Sequence, residues 1–269
     1  MPERGARGAV ERLRTALAHG VTADRCGFFF DFDGTLAPIQ LDPAAVAPVA
    51  GSASRLAELS RRAGRVALVS ARPASFLASQ FPDVPDMLLF GLYGLESATG
   101  GSPVTAHPAA RARRDTMAEL VERARAELPP GASVEDKRLT VALHYRAAPE
   151  RADEVTGWAR AAAAQHDLVV QQGRMVVELK PPGAPDKGST IIGAVDGLDV
   201  VWYFGDDVGD IPAFRSLREL AQQRTGFVTT LVAVHNPETG ADLEPLADAV
   251  LGAPADIPGL LDQVLAVLR

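Results

Sequence analysis

Four short polar clusters in this chain carry residue types that can do chemistry on an anionic substrate. The first, Asp31-Phe32-Asp33-Gly34-Thr35, spaces two carboxylates at i and i+2. In extended backbone such a pair points the same way, and a glycine after it permits a tight turn. The pair can bind a hard divalent cation, and it can divide the roles of nucleophile and general acid/base. On its own it also fits a capped strand end. The second cluster, Ser70-Ala71-Arg72-Pro73, offers a hydroxyl and backbone N–H groups to a phosphoryl oxygen at a helix start. A plain N-cap is its alternative reading. The third, Asp186-Lys187-Gly188-Ser189-Thr190, supplies Lys187 either as a fixed positive charge for a transferring phosphoryl group or as a solvated lysine at a helix start. The fourth, Gly205-Asp206-Asp207-Val208-Gly209-Asp210, packs three carboxylates into five residues, which repel one another unless a cation or a lysine neutralises them.

Three of these clusters directly follow short apolar runs. The runs are Gly27–Phe30, Arg65–Val69, Met87–Phe90, Val200–Phe204 and Thr230–Val234. Continuous apolarity over four to six residues predicts strands covered on both faces, as in parallel sheets. Helical spacing lies between and after them, over Ser52–Ala63 and over Ile257–Leu268, where Leu260, Leu261, Val264, Leu265 and Leu268 form a stripe. The alternation predicts a doubly wound, Rossmann-like α/β core with right-handed crossovers. Ligands then bind in the crevice beyond the carboxyl ends of the strands, so clusters far apart in sequence should converge there. The middle of the chain differs. His107–Leu128 and Pro149–His166 read as helices, whereas Leu139–Arg146 and Arg174–Lys180 alternate with period two, the mark of half-buried antiparallel strands. This places a second α/β module at 104–182, inserted into a discontinuous core formed by 1–103 and 183–269.

The chain has 269 residues, 34 acidic and 27 basic, for a formal net charge of −7; 47% of its residues are hydrophobic and 23% charged. That usage excludes disordered and fibrous classes. The acidic balance argues against nucleic acid as the partner. No apolar run approaches the ~18 residues that a membrane span requires, and the first twenty residues lack the apolar segment of a signal peptide. A cytoplasmic location and a monomer or weak oligomer are expected. Cys26 is the only cysteine, which excludes an internal disulfide and a cysteine-based zinc site. A nucleotide-binding Rossmann or P-loop reading fails because no glycine-rich loop follows the first strand.

The order Asp-x-Asp, Ser, Lys, Gly-Asp-Asp resembles the haloacid dehalogenase superfamily of aspartate-based phosphotransferases. The insert is then similar to the α/β cap domain of its sugar-phosphatase branch. More narrowly, Asp31-Phe32-Asp33-Gly34-Thr35-Leu36-Ala37-Pro38-Ile39, Gly91-Leu92-Tyr93-Gly94-Leu95-Glu96, Val134-Glu135-Asp136-Lys137, Leu143-His144-Tyr145-Arg146, Val177-Glu178-Leu179-Lys180-Pro181 and Gly205-Asp206-Asp207 are similar to motifs of the trehalose-6-phosphate phosphatase family. The likeness runs from about Phe28 to Phe214. It departs from the family at Ala71, commonly Gly, at Lys180, commonly Arg, and at Gly209-Asp210-Ile211, commonly Thr-Asp-Glu.

The resemblance implies Asp31 as nucleophile and Asp33 as general acid/base, with Ser70 and Lys187 holding the phosphoryl oxygens. It implies Mg²⁺ bound by Asp31, Asp206 and the backbone carbonyl of Asp33, with Asp207 and Asp210 behind these ligands and Asp210 positioning Lys187. Arg72, Glu96, Glu135, Lys137, His144, Arg146, Glu178 and Lys180 become the expected substrate-binding residues for a sugar phosphate. Two alternatives stay open: a phosphatase for another glycoside phosphate, such as sucrose phosphate, and a catalytically silent subunit that binds the sugar phosphate.

Overall fold

All five apolar runs form strands in the computed structural model, which describes residues 5–40, 45–84, 86–173, 175–237 and 242–268. The chain begins α1 (Ala6–Ala18), β1 (Cys26–Phe30), α2 (Ser52–Arg62), β2 (Arg65–Val69), α3 (Ala74–Gln80), β3 (Leu88–Gly91) and β4 (Glu96–Thr99). It continues through β5 (Thr105–Ala106), α4 (Pro108–Arg111), α5 (Arg114–Glu127), β6 (Ser133–Asp136), β7 (Val141–His144), α6 (Ala152–His166), β8 (Val169–Gly173) and β9 (Val176–Lys180). The last elements are α7 (Lys187–Ala194), β10 (Val200–Gly205), α8 (Ile211–Gln223), β11 (Val228–Val234), β12 (Ala249–Leu251) and α9 (Ile257–Val267). Two compact units result: Met1–Val104 with Pro185–Arg269, and Thr105–Ala184.

In the first unit the strands lie in the order β12-β11-β10-β1-β2-β3-β4. Every pair from β12 to β3 is parallel, whereas β4 returns antiparallel along β3. Neither this antiparallel edge nor β12 was expected. Glu96-Ser97-Ala98-Thr99 has no apolar run to announce a strand, since an antiparallel strand can leave part of its surface uncovered and only Glu96 of the four is buried. Strand β1 is buried along its whole length, and its residues alternate between two hydrophobic layers. Phe28 and Phe30 join Trp202, Phe204 and the α1, α2 and α9 side chains on one face, while Phe29 joins Tyr203, Phe214 and Ile191 on the other. Phe30 stacks on Phe204 with ring centroids 4.4 Å apart. Each buried Phe contributes about 1.5–3 kcal/mol, so the central strand pair is held from both sides. That rigidity carries over to the polar residues that leave the carboxyl ends of β1 and β10.

Cys26 opens β1 fully buried, as its place in the apolar run requires. Burial pushes its thiol up to about 12, with Asp199 and Asp24 adding to the effect. The thiol should therefore resist a disulfide reagent at pH 8 in the native protein and react once in denaturant; rapid native labelling would contradict this packing. The sign for stability follows from proton counting. Above the ordinary thiol pKa the unfolded chain loses a proton that the folded chain keeps, so Cys26 lowers stability as the solution becomes alkaline.

The second unit forms an antiparallel sheet of order β6-β7-β9-β8. Val141, Leu143, Val177 and Leu179 face Met117, Leu120, Val121 and Ala124 of α5 and Val155, Ala159 and Ala162 of α6. The expected helix over His107–Leu128 is broken into α4 and α5 at Arg113, whose backbone leaves the helical region (φ −110°, ψ 7°) and whose side chain donates to the His166 carbonyl at 2.7 Å. The strand expected over Leu139–Arg146 shortens to β7, because Arg138 adopts a left-handed turn (φ 67°) just before it. Arg174, the expected start of β9, lies outside the described residues; the strand begins after Met175, itself left-handed at φ 57°. Among the described residues no helix is long and apolar enough to cross a membrane.

Candidate active site

The carboxyl ends of β1, β2 and β10 deliver three of the four polar clusters to one cavity, and the N-terminus of α7 brings the other. The cavity holds about 120 Å³ and is lined by Asp31, Asp33, Ile39, Ser70, Ala71, Tyr93, Lys187, Asp206, Asp207 and Gly209. Asp31 is placed by its own backbone, whose N–H donates to the Phe204 carbonyl at 2.9 Å and so extends the β1–β10 pairing by one residue. Gly34 then turns the chain at φ 77°, and a Cβ there would lie 2.0 Å from an Asp206 carboxylate oxygen. Glycine is required twice over at this position, for the turn and for the close approach.

Lys187 sits at the centre. Its ammonium lies 3.0 Å from Asp31 Oδ1 and donates to Asp210 Oδ1 at 2.7 Å. It is buried, so it is not the solvated helix-start lysine that an isolated motif suggests. The cap of α7 comes from the neighbouring residue, Asp186, whose Oδ1 accepts from Ser189 N at 2.7 Å. Burial alone pushes Lys187 down, but Asp210 and Asp31 override it and hold the ammonium well above its ordinary range. Asp210, completely buried, accepts four hydrogen bonds: from Lys187, from Tyr203 Oη at 2.5 Å, and from the backbone N–H groups of Asp206 and Asp207 at 3.0 and 3.3 Å. It is thus the group that binds the Gly205–Asp210 loop to Lys187.

Asp206 accepts from Asn236 Nδ2 at 2.9 Å and from Thr35 Oγ1 at 3.4 Å. Carboxylate oxygens of Asp31, Asp206 and Asp210 lie within 4.8 Å of one another. Burial pushes Asp31 and Asp206 well above the usual carboxylate range; Lys187 opposes it at Asp31, where Asp210, Asp207 and Asp33 add repulsion, and Asn236 opposes it at Asp206, where Asp31, Asp210 and Asp207 do so. Burial likewise raises Asp207, with repulsion from Asp210. A concentration of hard, anionic oxygens in a buried recess fits a small divalent cation. Because Asp210 is already engaged four times, Asp31 and Asp206 are the better-placed carboxylate donors. Ile211, where the family carries an acid, starts α8 and packs against the Tyr203–Phe214 layer, so it adds nothing to the cluster.

The raised carboxylates fix the sign of a stability effect. In the folded chain these groups keep their protons to higher pH than in the unfolded chain, so stability falls as pH rises past the ordinary carboxylate range. Asp206→Asn should therefore raise the Tm of metal-free protein at pH 7, by about 2–4 °C for each kcal/mol of repulsion relieved. Calorimetry in chelator reads it; a lower Tm would mean that the Asn236 and Thr35 hydrogen bonds outweigh the repulsion.

Ser70 lines the cavity, and the alternative reading of it as a helix N-cap is not what the backbone shows. Helix α3 starts only at Ala74, and the Ser70 hydroxyl accepts from Arg72 N at 3.2 Å. The cap of α3 is the buried Glu96, which accepts from Ala74 N at 2.8 Å. Arg72, another expected substrate residue, grips Asp33 through Nε at 2.8 Å and Nη2 at 2.7 Å.

In the second unit, register puts Glu135, Ala142, Glu178 and Gln171 side by side across β6, β7, β9 and β8. Around the small floor made by Ala142, Glu178 accepts from Thr140 Oγ1 at 2.6 Å and from Lys137 Nζ at 3.5 Å. His144 Nε2 pairs with Glu135 Oε2 at 2.9 Å, and Lys180 donates to Gln171 at 2.6 Å. Arg146 lies past the end of β7, exposed. The expected residues on the strands of this unit and at the end of β6 thus share one polar sheet face.

Tyr203, Asn236, Thr35 and Tyr93 were not singled out from the sequence. Asn236 was within reach of the strand-exit rule, since it follows β11 by two residues. Tyr203 was hidden inside an apolar run.

Residues 29–246 match the trehalose-phosphatase family. A trehalose-phosphate phosphatase of Mycobacterium marinum is 37% identical over 205 residues, covering 72% of this chain and 52% of that protein, so the chain spans about half the length of such relatives. The C-terminal domain of the Candida albicans trehalose-6-phosphate phosphatase shares the fold, with a TM-score of 0.77 at 22% identity and 98% of each chain covered. A haloacid dehalogenase-like hydrolase of Bacteroides thetaiotaomicron does so at a TM-score of 0.61 and 15% identity, over 88% of this chain and 98% of that one. The chain belongs to the trehalose-phosphatase family.

Proposed function

We propose that this protein is a phosphomonoesterase that hydrolyses trehalose 6-phosphate to trehalose and phosphate, in a reaction that depends on Mg²⁺. The observation that carries the reading is the meeting of Asp31, Asp33, Lys187 and Asp206 around one cavity at the strand ends. A Asp31 carboxylate oxygen attacks phosphorus, the bond from phosphorus to the sugar oxygen breaks, and an aspartyl phosphate forms. Asp33 gives its proton to the departing sugar oxygen. It then takes a proton from water as that water attacks phosphorus, releasing phosphate and restoring Asp31. Lys187, held by Asp210, faces the phosphoryl oxygens with a charge that needs no reorganisation, and Ser70 adds a hydroxyl. Mg²⁺ held by Asp31, Asp206 and the Asp33 carbonyl would offset the negative charge of nucleophile and phosphoryl group.

The Thr105–Ala184 unit acts in this reading as the cap domain, and its face of Glu135, Lys137, Thr140, His144, Glu178 and Lys180 supplies donors and acceptors for sugar hydroxyls. Glu96 drops out as a sugar contact, being committed to α3. The experiment is phosphate release from trehalose 6-phosphate with Mg²⁺ and after chelation. Release that stops on chelation and returns with Mg²⁺ is expected. Tight binding without release would favour the silent subunit, and release that survives exhaustive chelation would remove the metal from the account.

A further inference from the structure

We propose that Arg72 is a positioning residue for Asp33 and makes no contact with the sugar; the proposal rests on the reading of Asp33 as general acid/base. The Arg72 guanidinium meets the Asp33 carboxylate fork to fork, with both oxygens engaged at 2.8 and 2.7 Å. Bidentate pairing fixes orientation as well as distance. The arginine is itself held: its guanidinium lies 4.7 Å from the centroid of the Phe76 ring, and Phe76 meets Phe32 edge-on at 5.7 Å. Phe32, fully buried, is the residue between the two aspartates. The contacts therefore close a ring, Asp33 to Arg72 to Phe76 to Phe32 and back along the chain.

The backbone beneath Arg72 is pinned at alternate residues. Tyr93 N donates to the Ser70 carbonyl at 2.9 Å and Leu92 N to the Arg72 carbonyl at 3.0 Å, while Glu96 holds Ala74 N. A Cβ on Gly91 would come 2.2 Å from Ala74 N, so the strand can approach this closely only as glycine. Leu92 and Tyr93 sit in left-handed backbone at φ 50° and 61°. Non-glycine residues in that region are strained, and such strain persists only where the surroundings over-determine it. Here the surroundings that do so are the Ser70, Arg72 and Thr190 contacts, the last a 2.6 Å bond from its hydroxyl to the Tyr93 carbonyl. The whole assembly sets one side-chain angle, that of the carboxyl group that must meet first the sugar oxygen and then water.

The test separates three esters by leaving group and by sugar. Trehalose 6-phosphate and n-butyl phosphate both release an alkoxide that needs a proton, whereas p-nitrophenyl phosphate releases an oxide that leaves without one. Because kcat/KM reports the steps through the first phosphoryl transfer, it isolates the acid role. Arg72→Gln and Arg72→Lys, the latter keeping the charge but not the fork, should each lower kcat/KM about 10–10²-fold on both alkyl esters and leave p-nitrophenyl phosphate within about threefold. An unchanged kcat/KM for the aryl ester also shows that the variants fold, even where turnover slows at the Asp33-dependent hydrolysis of the aspartyl phosphate. In an Asp33→Asn background Arg72→Gln should cost nothing further, since the two act as one unit. Loss confined to trehalose 6-phosphate would make Arg72 a sugar contact, equal loss on all three esters would make it a phosphate contact, and multiplicative loss with Asp33→Asn would make it independent; each overturns the proposal. If Asp33→Asn itself fails to separate alkyl from aryl esters, the acid/base reading of Asp33 falls, and the proposal falls with it by a distinguishable route.

Discussion

Asp31→Asn should lower kcat by at least about 10⁴-fold on every phosphate ester, because no other side chain can take its place as nucleophile. Asp31 is fixed by its bond to the Phe204 carbonyl and lies 3.0 Å from Lys187, so it is held at the centre of the cavity with its cationic partner. An amide of the same shape keeps the packing, removes one buried negative charge, and cannot be phosphorylated to an acyl phosphate. The fold should survive, with a Tm at or above that of wild type, since burial already disfavours the charged carboxylate. Phosphate release and calorimetry on freshly purified protein, checked by mass for deamidation, measure both halves. Turnover within tenfold of wild type would remove Asp31 from the mechanism.

The second large effect concerns the sugar. Glu178→Ala should lower kcat/KM for trehalose 6-phosphate by about 10²–10³-fold while p-nitrophenyl phosphate stays within about threefold, because polar groups matched to hydroxyls discriminate strongly. Glu178 stands at the centre of the polar sheet face with both oxygens engaged, by Thr140 and Lys137, which fixes it as a pre-oriented acceptor. Glu135→Ala should act in the same direction, since Glu135 sits on the register line of Ala142 and Glu178 and holds His144. Part of the loss should fall on kcat, because binding energy from the remote ring can be used in the transition state. Equal loss on both esters would make these residues structural.

The parallel sheet was legible because buried strands such as Phe28–Phe30 and Val200–Phe204 must be apolar on both faces, and its chemistry because Asp31, Ser70 and Asp206 leave those strands at their carboxyl ends. Lys187 and its partner Asp210 were legible through the family resemblance, whereas the burial of Lys187 between Asp31 and Asp210 was not, since it depends on elements far apart in sequence. Tyr203 and Asn236 escaped notice for a related reason: a Tyr in a strand and an Asn after one are common, and only the convergence on Asp210 and Asp206 gives them a role. Glu96 and Arg72 illustrate the converse. Each was expected at the substrate; in the structure Glu96 caps α3 and Arg72 grips the half-buried Asp33, because helix ends and carboxylates draw on the same charged side chains. The helix break at Arg113 and the antiparallel return of β4 depend on tertiary hydrogen bonds that local periodicity does not contain.

The proposed activity needs both a core that can carry phosphoryl transfer and a polar sheet face that pairs with a disaccharide. It is tested most directly by kcat/KM of the wild-type protein for trehalose 6-phosphate and glucose 6-phosphate, measured side by side with Mg²⁺. The two esters present the same leaving oxygen and differ by one glucose ring, so the chemistry of Asp31, Asp33 and Lys187 is common to both. A preference for trehalose 6-phosphate of at least about 10²-fold is predicted, the discrimination expected of a site built to pair with the hydroxyls of the second ring. Equal or better turnover of glucose 6-phosphate would contradict the account, leaving a phosphatase whose polar sheet face does not recognise the disaccharide.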